Sequence, residues 1–250
     1  MSRADNVVHS VAVVEAAPGP TVAGRQRRLA GTLAELGYEV TLVSRRSDGA
    51  HRSVNQSRGV TRVLEVPRLQ SEIRPGFAAV SYELYRALRG ATFDAIVFDE
   101  LGGHAYCTAR ARQLGLDFHG TSIVVVCSGG ELYTAVRDNR VYLPRHAFAT
   151  GVLERLALSL ADVAVFDDLA ELEWTRSVGW SLPARCVELG QGAADRDLWS
   201  EVLVGGDAMG KRSGPRALPD VSVVVPRHER TTYLPHCLEA LAAQSLLPLT

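Results

Sequence analysis

The chain has 250 residues, 46% of them hydrophobic and 22% charged, with 27 basic and 28 acidic side chains and a net charge of −1. That balance excludes the concentrated positive charge of a nucleic-acid-binding protein, and the length allows one large domain plus a smaller piece. Cys107, Cys127, Cys186 and Cys237 lie far apart, without the paired spacing of a zinc site, so they read as free cysteines in a reducing cytoplasm.

The N-terminus MSRADNVVHS lacks the apolar stretch of a signal peptide, and no apolar run approaches the roughly 18–20 residues that span a bilayer. The expectation is a soluble, cytoplasmic protein, compatible with peripheral association at a membrane.

In chain order, short β-branched runs alternate with helical patterns, which predicts a parallel sheet covered by helices on both faces. HSVAVVE at 9–15 reads as the first strand. A Gly/Pro loop, Ala17 to Gly24, precedes a helix in which Leu29, Leu33 and Leu36 recur at helical spacing up to Gly37. YEVTLVS at 38–44 and VTRVLEV at 60–66 follow as strands, and Pro75 opens a helix carrying Leu84 and Leu88.

FDAIVFD at 93–99 is a strand that delivers acidic residues at its end. A helix over about 103–115 and the strand TSIVVVC at 121–127 come next, then a polar loop over 128–144. The remaining elements are a helix through ATGVLERLALSL, the strand ADVAVF, a helix over 168–178 and a short strand at 185–189. Residues 200–220 hold four glycines and two prolines and read as a linker. Beyond it a strand at 221–225 and a helix at 233–244 begin a second unit. The predicted organisation is a Rossmann-like domain over 1–199, a linker over 200–220 and the start of a second α/β unit over 221–250.

In an open parallel sheet, ligands bind outside the carboxyl ends of the strands. The first candidate loop carries Gly19 and Gly24, where free amides at a helix start would attract an anion. Its spacing fits neither the dinucleotide fingerprint nor the P-loop, which counts against an oxidoreductase or an ATPase, and it reads equally as a plain turn. The second is Asp99-Glu100-Leu101-Gly102-Gly103-His104, in which His104 could bind a hydroxyl or act as a base. Read as structure alone, Asp99 is an N-cap and His104 a satisfied surface histidine. The third is Ser128-Gly129-Gly130-Glu131. Asp167-Asp168 reads as a cap for the helix LAELEWTRS, and Trp174, Trp180 and Trp199 read as packing residues. No metal-ligand spacing and no nucleophile triad is present in the sequence.

Element by element, GPTVAGRQRRLAGTLAELGYEVTLVS, FDELGGHAYCTARARQLGL, SIVVVCSGGELY, LSLADVAVFDDLAELEWTRSVGW and VELGQGAADRDLW resemble the N-terminal half of family-4, GT-B-type glycosyltransferases. Three departures stand out: the first loop keeps only Gly19 and Gly24, Asp167 and Asp168 replace the family's serine, and the nucleotide-sugar half with its glutamate-bearing donor motif is not found within these residues. The resemblance implies an acceptor-side role for Gly102, Gly103, His104, Ser128 and Gly129; from their strand-end loops Gly19, Gly24 and Asp99 join the candidate acceptor-binding residues, and His104 is the candidate catalytic base.

PDVSVVVPRHERTTYLPHCLEALAAQSLLP resembles the opening of a family-2, GT-A-type glycosyltransferase. It implies that Pro226, Arg227, His228 and Glu229 contact the nucleotide. That family's carboxylate pair, which would take a divalent Mg or Mn, falls past Thr250; within the chain no metal or other cofactor is expected. The partners implied are a nucleotide-sugar donor and a glycan acceptor in polysaccharide biosynthesis. The alternative is a non-catalytic glycan- or nucleotide-binding module derived from such an enzyme.

Overall fold

The computed structural model describes residues 10–16, 20–45, 60–67, 76–141, 143–189 and 196–204. The chain divides into two units, Met1–Arg212 and Ser213–Thr250, and all described residues belong to the first.

The described strands are β1 (Ser10–Glu15), β2 (Glu39–Arg45), β3 (Arg62–Val66), β4 (Ala95–Asp99), β5 (Ser122–Cys127), β6 (Val163–Phe166) and β7 (Arg185–Glu188). They form one parallel sheet in the order β3-β2-β1-β4-β5-β6-β7. The helices are α1 (Pro20–Glu35), α2 (Gly76–Leu88), α3 (Tyr106–Gln113), α4 (Glu131–Arg137), α5 (Arg145–Leu160), α6 (Leu169–Ser177) and α7 (Arg196–Val204). A 3-10 turn, Leu101–Gly103, follows β4. The α/β, Rossmann-like architecture expected from the sequence is the one observed.

The apolar runs in the strands are continuous because both faces of the sheet are covered. On one face Ala12, Ile96, Phe98, Ile123 and Val125 pack with Leu84 and Leu88 of α2, Ala109 of α3 and Leu158 of α5. On the other, Val11, Val13, Val97, Val124 and Val165 pack with Leu29 and Leu33 of α1 and with Trp199, Val202 and Leu203 of α7. Successive strand residues point to opposite faces, so each strand feeds both cores. Each fully buried Leu or Val contributes roughly 1.5–3 kcal/mol relative to exposure, and it is these two layers that hold the sheet edge rigid.

Four local readings need correction. The first loop is shorter than Ala17 to Gly24, because α1 already begins at Pro20, whose fixed φ suits a first helical position. The stretch 128–144 is not all loop: it contains α4, and Gly130 serves as its N-cap residue. The helix expected over 103–115 is split, with the 3-10 turn at Leu101–Gly103 and α3 beginning only at Tyr106. The segment read as a linker from Ser200 is helical through Val204, because Trp199, Val202 and Leu203 are buried against the sheet.

Candidate functional site

The strand order reverses direction between β1 and β4: the chain leaves β1 toward β2 and leaves β4 toward β5. This opens a crevice above the carboxyl ends of these strands. Asp99 ends β4, Ser128 follows β5 and Asp167 follows β6, while α1 swings back over the edge from β1. The register Asp99↔Val126 and Cys127↔Phe166 places these three residues along one line of the edge.

Arg25, on the second turn of α1, reaches across that line. Its guanidinium bonds the Asp167 carboxylate and lies 3.9 Å from Asp99. Gln26 is buried and donates through Nε2 to Asp99 Oδ2 at 3.2 Å, while its own Oε1 has no partner. Asp99 also accepts from the Leu101 amide at 3.0 Å and from Ser128 Oγ at 3.3 Å. Burial raises the Asp99 carboxyl above the ordinary aspartate value, and the Leu101 amide, Arg25 and Gln26 oppose the rise. Asp167 behaves alike: burial raises it and Arg25 opposes.

Beside this line sits a second group of carboxyls, to which no ion pair is made among the described residues. Glu171 of α6 accepts from the Gly129 amide at 3.0 and 3.1 Å and from the Gly130 amide at 3.2 Å. Glu100 accepts from the Gly130 amide at 3.1 Å. Glu154 of α5 accepts from the Gly102 amide at 2.9 Å and from the Glu131 amide at 2.8 Å. A Cβ on Gly130 would stand 2.7 Å from Glu100 Oε1 and 3.0 Å from Glu154 Oε2, so this approach is open only to glycine.

The residues singled out in the sequence are distributed as follows. Asp99 and Ser128 meet, joined by a hydrogen bond. Gly102, Gly103 and Gly129 shape the turns beside them, and Gly102 (φ 76°) and Gly103 (φ 60°) adopt the left-handed backbone that splits the predicted helix. The amides of Gly102 and Gly129 are committed to Glu154 and Glu171, so they do not face outward as free donors. Gly24 lies within α1 with room for a side chain, its nearest contact being Arg28 at 3.6 Å. Gly19, Pro226, Arg227, His228 and Glu229 lie outside the described residues.

His104 is buried. Burial, and then Arg45, lower its imidazole to a pKa of about 4, leaving it neutral and a weak base at pH 7. Its ring lies beneath Gly102, where an added Cβ would stand 2.6 Å from Nε2. Its carbonyl accepts from Ser81 Oγ at 2.9 Å. Asp168 caps α6 by accepting from the Ala170 amide at 2.9 Å, as its position in the sequence suggested.

Sequence reasoning did not single out Gln26, Glu154 and Glu171. The signal was present in the helical spacing. Glu154 lies between Gly151 and Leu158, and Glu171 four residues before Thr175, so both occupy the buried stripe of their helices. An acidic residue on such a stripe has to find donors inside the fold. No group of three or more His, Cys, Asp or Glu among the described residues is arranged to hold a metal ion.

The fold is shared with known glycosyltransferases. A sucrose-phosphate synthase from Thermosynechococcus elongatus superimposes with a TM-score of 0.51 at 16% identity, covering 79% of this chain and 98% of that one. A UDP-glucose: anthocyanidin 3-O-glucosyltransferase in complex with UDP gives 0.51 at 10% identity, covering 74% and 53%. A longer structure of the same synthase gives 0.50 at 14% identity, covering 72% and 47%. The chain therefore spans about half the length of these two longer transferases. No family model matches the sequence, and no curated protein matches it. Among the described residues no helix is long and apolar enough to cross a membrane.

Proposed function

We propose that the described domain is the acceptor-side half of a GT-B-type glycosyltransferase that moves a sugar from a nucleotide-sugar to a hydroxyl of a glycan acceptor. The observation that supports this is the line of Arg25, Gln26, Asp99, Ser128 and Asp167 at the carboxyl edge of the sheet. It offers a hydroxyl, an unpartnered amide oxygen and ion-paired carboxylates, the mixture that sugar hydroxyls bond to. A carboxylate whose proton affinity is raised by burial is suited to draw a proton from an acceptor hydroxyl. In this reading Asp99 is the group that does so, and His104 packs the floor of the turn rather than acting as the base. The nucleotide would be held outside the described residues, where the resemblance assigns Pro226, Arg227, His228 and Glu229, together with any divalent metal. The family-4 and family-2 affinities, a cytoplasmic location and a place in polysaccharide assembly belong to the same proposal.

A second reading, a glycan-binding module without transfer, draws on one observation: the Gly129 and Gly130 amides are filled by Glu171 and Glu100, which leaves fewer donors for a substrate. One experiment separates the two. The full chain is screened on a glycan array, and any glycan bound is then incubated with the chain and radiolabelled UDP-sugars, alongside an Asp99→Asn variant. Transfer by the wild type that Asp99→Asn abolishes, with glycan binding kept, supports the enzyme. Binding without turnover supports the module. No glycan bound in the array and no transfer to any acceptor would sink both.

A further inference from the structure

Glu100, directly after β4, Glu154 of α5 and Glu171 of α6 converge on the turn Leu101–Gly103 and on the segment 128–131. All three are buried, at 3%, 1% and 2% exposure. Glu100 Oε2 and Glu171 Oε1 accept from the same Gly130 amide, at 3.1 and 3.2 Å, which draws the two buried carboxyls together. Two anions so placed repel, and a proton on one of them turns it into a donor toward the other and removes the repulsion.

The groups that face the cluster are mostly acidic or neutral. Asp99 precedes it on β4, Cys127 ends β5 below it, Glu131 opens α4, and Asp167 and Asp168 lead into α6. The nearby cations are engaged elsewhere: Arg25 with Asp167 and Asp99, Arg140 with Glu131 at 3.3 Å, and Arg137 with Asp138 at 3.0 Å. Among the described residues no ion pair reaches the three glutamates, and their carboxyls are met by backbone amides.

We propose that Glu100, Glu154 and Glu171 form a protonated latch that fastens the turn Leu101–Gly103 and the segment 128–131 against α5 and α6, and that ionisation of the cluster releases both segments from the crevice wall. In the latched state the shared proton sits between Glu100 and Glu171, and the remaining carboxyl oxygens hold the Gly102, Gly129, Gly130 and Glu131 amides. When hydroxide removes that proton, giving water and a second carboxylate, two adjacent anions face each other in a low-dielectric setting. The least costly relief is for the glycine segment to swing outward and admit water.

The electrostatics agree. Burial, followed by Glu171 and Glu154, pushes the Glu100 carboxyl well up, and burial raises Glu154 from 4.5 to about 7. Glu171 is raised as well, by burial above all. A carboxyl whose value is higher folded than unfolded binds its proton more tightly in the fold. Its contribution to stability is complete below the unfolded value and is lost as pH rises toward the folded one. For Glu154 that window runs from pH 4.5 to about 7, and Glu100 is shifted in the same direction. The latch thus loosens as pH rises through that window.

The test is amide hydrogen exchange at Gly102, Gly129, Gly130 and Glu131 in the full chain between pH 6 and pH 8.5, corrected for the base-catalysed intrinsic rate. Protection in the wild type is expected to fall by about tenfold or more, the population change of one pH unit of titration. Glu100→Gln, which keeps a hydrogen-bond donor toward Glu171 and cannot ionise, is expected to retain protection at pH 8.5. Wild-type protection that is flat across the range, or an equal loss in Glu100→Gln, overturns the latch. Should that variant fail to fold, carboxyl-carbon NMR of the wild type decides. Glu100 and Glu171 both fully ionised at pH 6 refute the shared proton, and one carboxyl still protonated there supports it.

Discussion

Two groups of carboxylates stand side by side at the carboxyl edge of the sheet, and they are neutralised in different ways. Asp99 and Asp167 are served by a cation, Arg25, that reaches both from α1. Among the described residues Glu100, Glu154 and Glu171 have no such ion pair and rely on four backbone amides. The first arrangement is partly open, with the Arg25 and Asp167 side chains 17% and 29% exposed. The second is sealed. A long guanidinium side chain can let go of one partner and take up a ligand, whereas carboxyls buried on loop amides can be changed only by moving the loop. Adaptability to a ligand therefore resides in the aspartate line, and the shape of the crevice wall resides in the glutamate cluster.

The comparison breaks most readily at Glu154. Glu154→Ala leaves the Gly102 and Glu131 amides buried without acceptors and opens a cavity, at a cost of about 3–5 kcal/mol in urea denaturation. A smaller loss than for the aspartate line would mean that the sealed cluster is not the stiffer part. Arg25→Met keeps the aliphatic stem and removes the charge from the buried Asp99 and the part-exposed Asp167. It should cost about 1–2 kcal/mol, with a carboxyl-carbon titration of Asp99 shifted to higher pH because the opposing cation is gone. An unchanged Asp99 titration would remove Arg25 from its electrostatic role. The smallest effect is expected at Asp168→Ala, which deletes only the cap on α6 and should lower stability by about 1 kcal/mol. A loss well beyond that would implicate its second contact, Tyr133 Oη at 3.2 Å, and tie the cap to the site.

Most of the sheet was legible because a doubly covered parallel strand needs an uninterrupted apolar run, and VAVV, VTLV, AIVF, IVVV and VAVF each supply one. The loops were less legible. Ser128-Gly129-Gly130 reads as an outward-facing donor nest, and nothing within those three residues reveals that Glu171, some forty positions later, fills it. That information is tertiary: it depends on α6 packing beside α4. Likewise His104 looks reactive from its residue type, and only the burial around it shows a neutral packing group. Asp99 and Ser128 were found because the carboxyl end of a strand is a position that the fold itself defines. Gln26 was missed because its amide is one helical step past an arginine on a helix read only for its leucines.

Trp199 carries a last consequence. It is 1% exposed on α7, the final described helix, where it packs with Leu29, Leu33 and the strands of that face, while Arg185 of the edge strand donates to the Val202 carbonyl at 3.0 Å. The helix is a keystone set in last: the arch of strands closes only once the ribosome has delivered residue 204. Until then the part of that face not covered by α1 stays bare, a sticky surface in want of a chaperone. A recombinant boundary drawn even ten residues early would make that transient exposure permanent.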